Sequence, residues 1–332
     1  MVDFIVAEKT DTGLEEIGYL GDMSSIDIDV GGNNDLQLKV PLKAQAAELM
    51  RHGLFLYRTG TEYGGIINDM QAVIRSGELV CMGYTFRGLL DKKIIEPDPG
   101  QSHKVVSGDA NRIIEALIKY HYPDSIFIVP GEDSKFILKD YQFNRYCTLL
   151  EGITAMLESV GARLQITSVS DTQGVRVELN AVPFMNLSDE IEYSQDGRVN
   201  FTVRDYRLGI NHLICLGKGE LADRLVVHLY IDKNGEIGQK KYYTGLEDIS
   251  QVYELSSEDN TEKLISEGTK KLKELMNYKS VTASVQDVDL NLGDIIGGRD
   301  RITGILVKAP IIQKILTISN GRESISYKTK GE

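Results

Sequence analysis

The sequence predicts an α+β chain whose order is β, then α/β, then β. Three observations carry this. Short apolar runs alternate with polar residues over the first hundred positions and again over the last third, the period of half-buried strands. Between them two stretches carry apolar residues at helical spacing. Glycine-bearing turns punctuate the strands at the short intervals found in small barrels or sandwiches.

Taken in order, Phe4–Ala7 reads as a strand and Asp11-Thr12-Gly13 as a turn. Ile26, Ile28 and Val30 alternate with aspartates; Gly31-Gly32-Asn33-Asn34 then reverses the chain into Leu36, Leu38 and Val40, a hairpin. Strands follow at Leu54–Arg58, Tyr63–Asn68 and Leu79–Phe86, with a weak helical stretch at Ala44–Met50. Pro97-Asp98-Pro99-Gly100 marks a linker.

Beyond it, Ile113, Ile114, Leu117 and Ile118 share one face of a helix capped by Ser107 or Asp109. A second helix is expected from about Phe143 to Val160, closed by Gly161. Arg163–Ser168 and Val175–Val182 form a hairpin, completing a two-helix module. The final third reads as strands at Val199–Arg204, His212–Leu216, Leu225–Ile231 and Glu236–Tyr243. A helix over 257–277, capped by Ser256 or Ser257, precedes strands at Val281–Val285, Ile302–Val307, Ile311–Ile318 and Ser324–Tyr327.

Composition narrows the function. With 37 basic against 49 acidic residues and a net charge of −12, static binding to nucleic acid is disfavoured, because that requires clustered Lys and Arg against phosphate. Cys81, Cys147 and Cys215 are far apart and join no CxxC or Cys/His cluster, so neither disulfides nor zinc are expected. The N-terminus lacks a secretory pattern and no run of about 18 apolar residues exists. The expectation is therefore synthesis in a reducing cytoplasm and no membrane insertion.

No motif converges on chemistry. Gly217-Lys218-Gly219-Glu220-Leu221-Ala222 resembles a dinucleotide loop, but the strand-like Leu225–Tyr230 follows where a helix must open, so a turn is expected and no cofactor. The carboxylates Asp189, Glu190 and Glu192 adjoin in sequence, whereas glycoside hydrolysis needs two on opposite sides of a sugar. Asp232-Lys233-Asn234-Gly235 starts like a calcium loop, yet Tyr243 stands where the bidentate glutamate belongs. His52, His103, His121, His212 and His228 lack metal-ligand spacing, and His212 and His228 read as strand histidines. No catalytic, cofactor or metal residues are assigned, and an enzyme is not expected.

Three segments are distinctive: Glu62-Tyr63-Gly64-Gly65-Ile66-Ile67 with Gly83-Tyr84-Thr85-Phe86-Arg87-Gly88-Leu89-Leu90 and Ile94–Pro97; Asn211–Leu221; and Val288–Ile296. Together they resemble the phage tail baseplate hub family of siphoviruses and prophages, related to the central hub protein of contractile baseplates. The segments occur in the family's order across nearly the whole chain. One departure is Phe86, where the family usually has tryptophan. The residues carried over as a structural signature are Tyr63, Gly64, Gly65, Tyr84, Arg87, Gly88, Gly217, Gly219, Gly293 and Asp294.

The resemblance implies two small antiparallel β-barrel domains flanking a two-helix plus hairpin α/β module, with a further helix inserted in the C-terminal barrel domain. The expected boundaries are 1–98 for the first tube-like barrel, which strands near 198–216 could complete; 99–190 for the α/β insert; and 191–332 for the second barrel with its helix at 257–277. It also implies a homotrimeric ring at the virion tail tip. A distal tail or tube ring would lie above it, a spike, fibre or tape-measure protein below, and DNA would pass through transiently. The glycines Gly64, Gly65 and Gly88 are expected at strand ends, and Gly293-Asp294 in a tight turn. Two other readings compete. One is a tail-tip hydrolase of cell wall or polysaccharide, against which stands the lack of an appended domain before Glu332. The other is the hub of a phage-derived bacteriocin or secretion particle.

Overall fold

The computed structural model describes residues 4–329 apart from 12, 22, 24, 124–125, 172–173, 188–198, 286–289, 300–305 and 320. It is α+β, mostly sheet with few helices, and divides into two compact units. The first comprises Met1–Thr202, Thr282–Gly298 and Lys308–Lys330; the second comprises Val203–Val281, Arg299–Val307 and Gly331–Glu332.

The N-terminal strands are β1 (Ile5–Lys9), β2 (Leu14–Tyr19), β3 (Ser25–Val30), β4 (Asp35–Pro41), β5 (Phe55–Tyr57), β6 (Gly64–Val73) and β7 (Glu78–Thr85). Short helices α1 (Gln45–Leu49) and α2 (Phe86–Leu90) interrupt and close the set. The β3–β4 hairpin forms where the alternation predicts it. Its turn is held by the Asp29 carboxylate, which accepts from the backbone N–H of Gly32 and Asn33, both at 3.1 Å.

Next come β8 (Val105–Asp109), α3 (Ala110–His121), β9 (Phe127–Ile128), β10 (Ile137–Gln142), α4 (Leu149–Glu158), β11 (Ala162–Asp171) and β12 (Gly174–Pro183). Asp109 caps α3, accepting from Asn111 N at 2.9 Å, as one of the two expected caps. The apolar stripe Ile113, Ile114, Leu117 and Ile118 is buried.

Helix α4 is shorter than expected. Residues 143–147 form a turn, with Tyr146 at φ +54, whose ends are tied elsewhere: Phe143 N donates to Lys104 O, and Cys147 O accepts from Ile95 N. The helix begins only where Thr148 and Glu151 form a reciprocal capping box. Strands β2, β8 and β10 were not foreseen; β2 carries exposed Glu15 and Glu16, which blur its alternation.

The remaining elements are β13 (Val199–Tyr206), β14 (His212–Leu216), β15 (Val226–Ile231), β16 (Ile237–Gly238), β17 (Ser250–Glu254), α5 (Thr261–Leu275), β18 (Tyr278–Val285), β19 (Ile295–Arg299), β20 (Leu306–Ser319) and β21 (Arg322–Thr329). The return strand expected over Glu236–Tyr243 shrinks to Ile237–Gly238, which still forms the edge beside β15, while β17 forms the opposite edge beside β14. Helix α5 starts at Thr261 rather than near 257, because the Asn260 side chain is the cap, accepting from Lys263 N at 3.1 Å. The expected strand at Ile302–Val307 lies largely outside the described residues, as do the carboxylates 189, 190 and 192.

The large sheet runs in the order β11-β12-β2-β1-β5-β6-β7-β4-β3-β20-β21-β18-β13, and among the described residues this path is open at its ends. One apolar core of the first unit joins Ile5, Phe55, Tyr57 and Phe86 with Ile114, Ile153 and Leu179. The strands of the expected first barrel and the helices of the expected insert therefore bury the same side chains. A neighbouring core gathers Ile26, Ile28, Leu38, Leu56 and Leu316. In the second unit, the four-stranded sheet β16-β15-β14-β17 packs Leu213, Cys215 and Leu229 against Leu264 and Leu272 of α5.

Candidate functional site

Eight of the ten signature residues lie in the first unit, and most of them surround one buried ionic cluster. Its centre is Glu62, on the turn that leads into β6. Arg87, in the first turn of α2, places Nη2 3.1 Å from Glu62 Oε2; Lys314, on β20, places Nζ 2.8 Å from Oε1. All three are buried. Burial pushes the Glu62 carboxyl up, but the Lys314 and Arg87 cations more than offset this and hold it below the usual carboxylate value. Arg87 Nη2 also donates to Leu164 O at 3.0 Å, tying α2 to β11. Lys314 sits over the ring of buried Tyr63 at 4.8 Å.

The glycines let the backbone close around these charges. A Cβ on Gly65 would fall 2.0 Å from Tyr84 O on the paired strand, so only glycine permits this approach. Gly64 and Gly65 do open β6, as expected. Gly88 does not end a strand: it lies within α2, where Thr85 caps the helix by accepting from Gly88 N at 3.1 Å. The reason for glycine there is again close approach, since a Cβ would meet Asn34 O at 2.2 Å. Tyr84 is partly exposed, with Lys92 Nζ 4.6 Å from its ring centre.

A second buried pair lies at the C-terminal signature. Arg163 Nε is 3.0 Å from Asp294 Oδ1, and the same carboxylate accepts from Met185 N at 3.1 Å and, through Oδ2, from Asn291 N at 3.0 Å. Gly293 has φ +89 in the expected turn, in the left-handed region that suits glycine. A cavity of about 660 Å³ is lined by Arg87, Arg163 and Gly293 together with Leu164, Phe184 and Ile311. The two signature segments, some two hundred residues apart in sequence, thus meet at one cavity wall.

Gly217 and Gly219 belong to the second unit. They sit in the loop between β14 and β15, which closes through a 3-10 turn at Leu221–Asp223 rather than an α-helix. Asp232–Gly235 is a β-turn, with Gly235 N donating to Asp232 O at 3.1 Å. Among the described residues no group of three His, Cys, Asp or Glu side chains could hold a metal ion.

The sequence reading missed Glu62 and Lys314 as members of the cluster, and Arg163 as the partner of Asp294. Lys314 left a signal: it occupies an inward-facing position on β20, in phase with buried Leu316 and Ile318. A lysine in phase with core residues calls for a buried carboxylate partner.

No family model matches the chain, and no curated protein does. Solved structures do. The 43 kDa tail protein of prophage MuSo2 from Shewanella oneidensis superposes with a TM-score of 0.51 at 11% identity, covering 99% of this chain and 98% of that one. The tail protein from Neisseria meningitidis MC58 gives 0.49 at 12% identity over 99% and 96%. The p2 virion baseplate in its activated conformation gives 0.49 at 10% identity over 99% and 99%. The superposition at 0.51 gives the chain a phage-tail-protein fold. More particularly, the fold is the one seen over the full length of the Shewanella prophage tail protein.

Proposed function

We propose that the chain is a structural hub subunit of a phage or phage-derived tail tip. Three copies close a ring through heterologous interfaces. The ring adapts a sixfold tube to a threefold spike or fibre, with each copy offering two small barrel-like units to the tube. A distal tail or tube ring contacts one side, and a spike, fibre or tape-measure protein the other. DNA crosses the bore without specific binding, helped by the acidic balance of −12.

The observation that carries this reading is the full-length likeness to a prophage tail protein at TM-score 0.51. The signature cluster supports it physically. Both carboxylate oxygens of Glu62 are engaged by cations, and Asp294 is engaged by Arg163 and two backbone N–H groups. Charges answered this fully make a rigid joint between β6, α2, β11 and β20, and neither Glu62 nor Asp294 is left poised as an acid or base.

Electron microscopy of the purified chain, with mass from light scattering, tests the proposal. A threefold ring with a bore of duplex-DNA width is expected. A compact monomer at high concentration would overturn it, and release of sugars or peptides from host cell walls would transfer the reading to a hydrolase.

A further inference from the structure

The second unit carries a polar cluster that the hub reading does not use. Among the described residues its four-stranded sheet packs α5 on one face; the other face bears His212, Tyr230 and His228, with Val226 and Val252 half-exposed. Register places His212 opposite Tyr230 on β15 and opposite Ser250 on β17. His212 is 7% exposed, whereas His228 reaches solvent. His212 Nε2 lies 2.8 Å from His228 Nδ1, and its ring stacks on Tyr230 with centroids 4.4 Å apart.

On the far side of the ring, His212 Nδ1 faces Asp248 Oδ1 at 3.2 Å, close enough for an ion pair though not aligned as a hydrogen bond. Asp248 in turn is bound by Lys241. The titratable and charged groups facing His212 are thus His228 and Tyr230 from β15, and Asp248 and Lys241 from the connection between β16 and β17. Burial and the His228 and Lys241 charges push the His212 imidazole below its ordinary value, against the pull of Asp248.

The geometry fixes how many protons fit. With Nδ1–H of His212 turned to Asp248, the Nε2 lone pair accepts from His228 Nδ1–H and both rings are neutral. A first proton can be held in the gap, His212 then donating from Nε2 to a deprotonated His228 Nδ1 while His228 carries its hydrogen on the exposed Nε2. A second proton would put two N–H groups head to head across 2.8 Å.

We propose that His212 and His228 form a one-proton switch: the pair takes up one proton in place, and a second drives His228 off, opening this face of the sheet on acidification. The Asp248 contact holds His212 where it is, so the exposed ring is the one that moves.

Two-bond 1H–15N spectra of the full-length 15N-labelled chain between pH 8 and 4 test this. Two separate steps are expected. The second should lie at least about one unit, tenfold in proton affinity, below the ordinary histidine value of about 6.5. Amide shifts at that step should be confined to the strands around 212 and 228. His228→Gln, at a solvent-exposed position, should leave one step for His212 at higher pH than the lower step of the pair. Asp248→Asn should move the His212 step to lower pH. Both rings titrating together near the ordinary value, or a His212 step unchanged by His228→Gln, would overturn the switch. The ring assembly seen by microscopy is a separate outcome and does not bear on it.

Discussion

The two units use charge in opposite ways. In the first, Glu62, Arg87 and Lys314 are buried together and every carboxylate oxygen has a cation. In the second, His212 is buried on one side and meets a solvent-exposed histidine on the other. Depth decides the difference. A carboxylate held by two cations keeps its charge below its ordinary titration range, so its network is fixed at physiological pH. His212, at a sheet face that meets solvent, belongs to the side-chain type whose ordinary charge change falls between about pH 5 and 8, and burial lowers its own value.

The comparison breaks most readily at Glu62. Glu62→Ala leaves Arg87 and Lys314 buried without their anion and is expected to destabilise the first unit by about 3–5 kcal/mol. Urea unfolding followed by a probe in that unit measures it, and a loss below about 1 kcal/mol would show the cluster to be dispensable. The pH dependence follows from the lowered Glu62 value. The carboxyl binds fewer protons folded than unfolded, so its contribution is complete above the unfolded value of about 4.3 and fades as pH falls through the lower folded one. Wild type should therefore lose stability below about pH 4.3 more steeply than Glu62→Gln.

The second unit depends instead on apolar packing under one helix. Leu272 is fully buried against the sheet, and Leu272→Ala is expected to cost about 2–5 kcal/mol. If the units unfold separately, this change shifts only the transition reported from α5, and Glu62→Ala shifts only the other. A single shared shift for both variants would show that the two unfold as one.

The sequence disclosed these features unevenly. The β3–β4 hairpin, the α3 stripe with its Asp109 cap, and β14, at His212–Leu216 as expected, were legible because period and cap chemistry are local. The start of α4 was misplaced because Phe143 and Cys147 are apolar enough to extend a helical stripe, while long-range bonds to Lys104 and Ile95 hold them at the two ends of a turn. At the site, the glycines were legible from the family resemblance, but their partners were not. Glu62 meets a lysine 252 positions away (314 − 62), and Arg163 meets an aspartate 131 positions on, separations that no periodicity encodes. The histidine pair was invisible for the same reason: only strand register sets His212 beside His228.

The close backbone approach sharpens the contrast at smaller scale. Gly65→Ala places a methyl 2.0 Å from Tyr84 O, where backbone must shift, and about 1–3 kcal/mol of destabilisation is expected. Gly77→Ala, with nothing near its Cβ but φ +70, tests whether strain or contact matters more. Thermal unfolding of both variants compares them, and an equal loss would mean that the tight strand pairing contributes little beyond backbone conformation.

The smallest effect separates the two units by their helix starts. Thr148 and Glu151 satisfy two backbone donors reciprocally at α4, whereas Asn260 accepts from one, Lys263 N, at α5. Removing a capping side chain costs about 0.5–2 kcal/mol; Thr148→Ala and Asn260→Ala each orphan one backbone N–H, so the packing of the first turn sets the place in that range. Thr148→Ala disrupts the box at a helix whose Ile153, Met156 and Leu157 lie in the main core, so the start of α4 cannot fray without disturbing that packing. Its cost should fall near the upper end, about 1–2 kcal/mol. Asn260→Ala loosens the exposed first turn of a helix whose buried contacts begin only at Leu264, and about 0.5–1 kcal/mol is expected. Amide hydrogen exchange over 149–152 and 261–264 reads the two directly. Greater fraying at α5 in Asn260→Ala, with little change in global stability, would agree with a helix anchored from its middle; the reverse ranking would mean that α5, not α4, is the helix whose first turn is tied to its core.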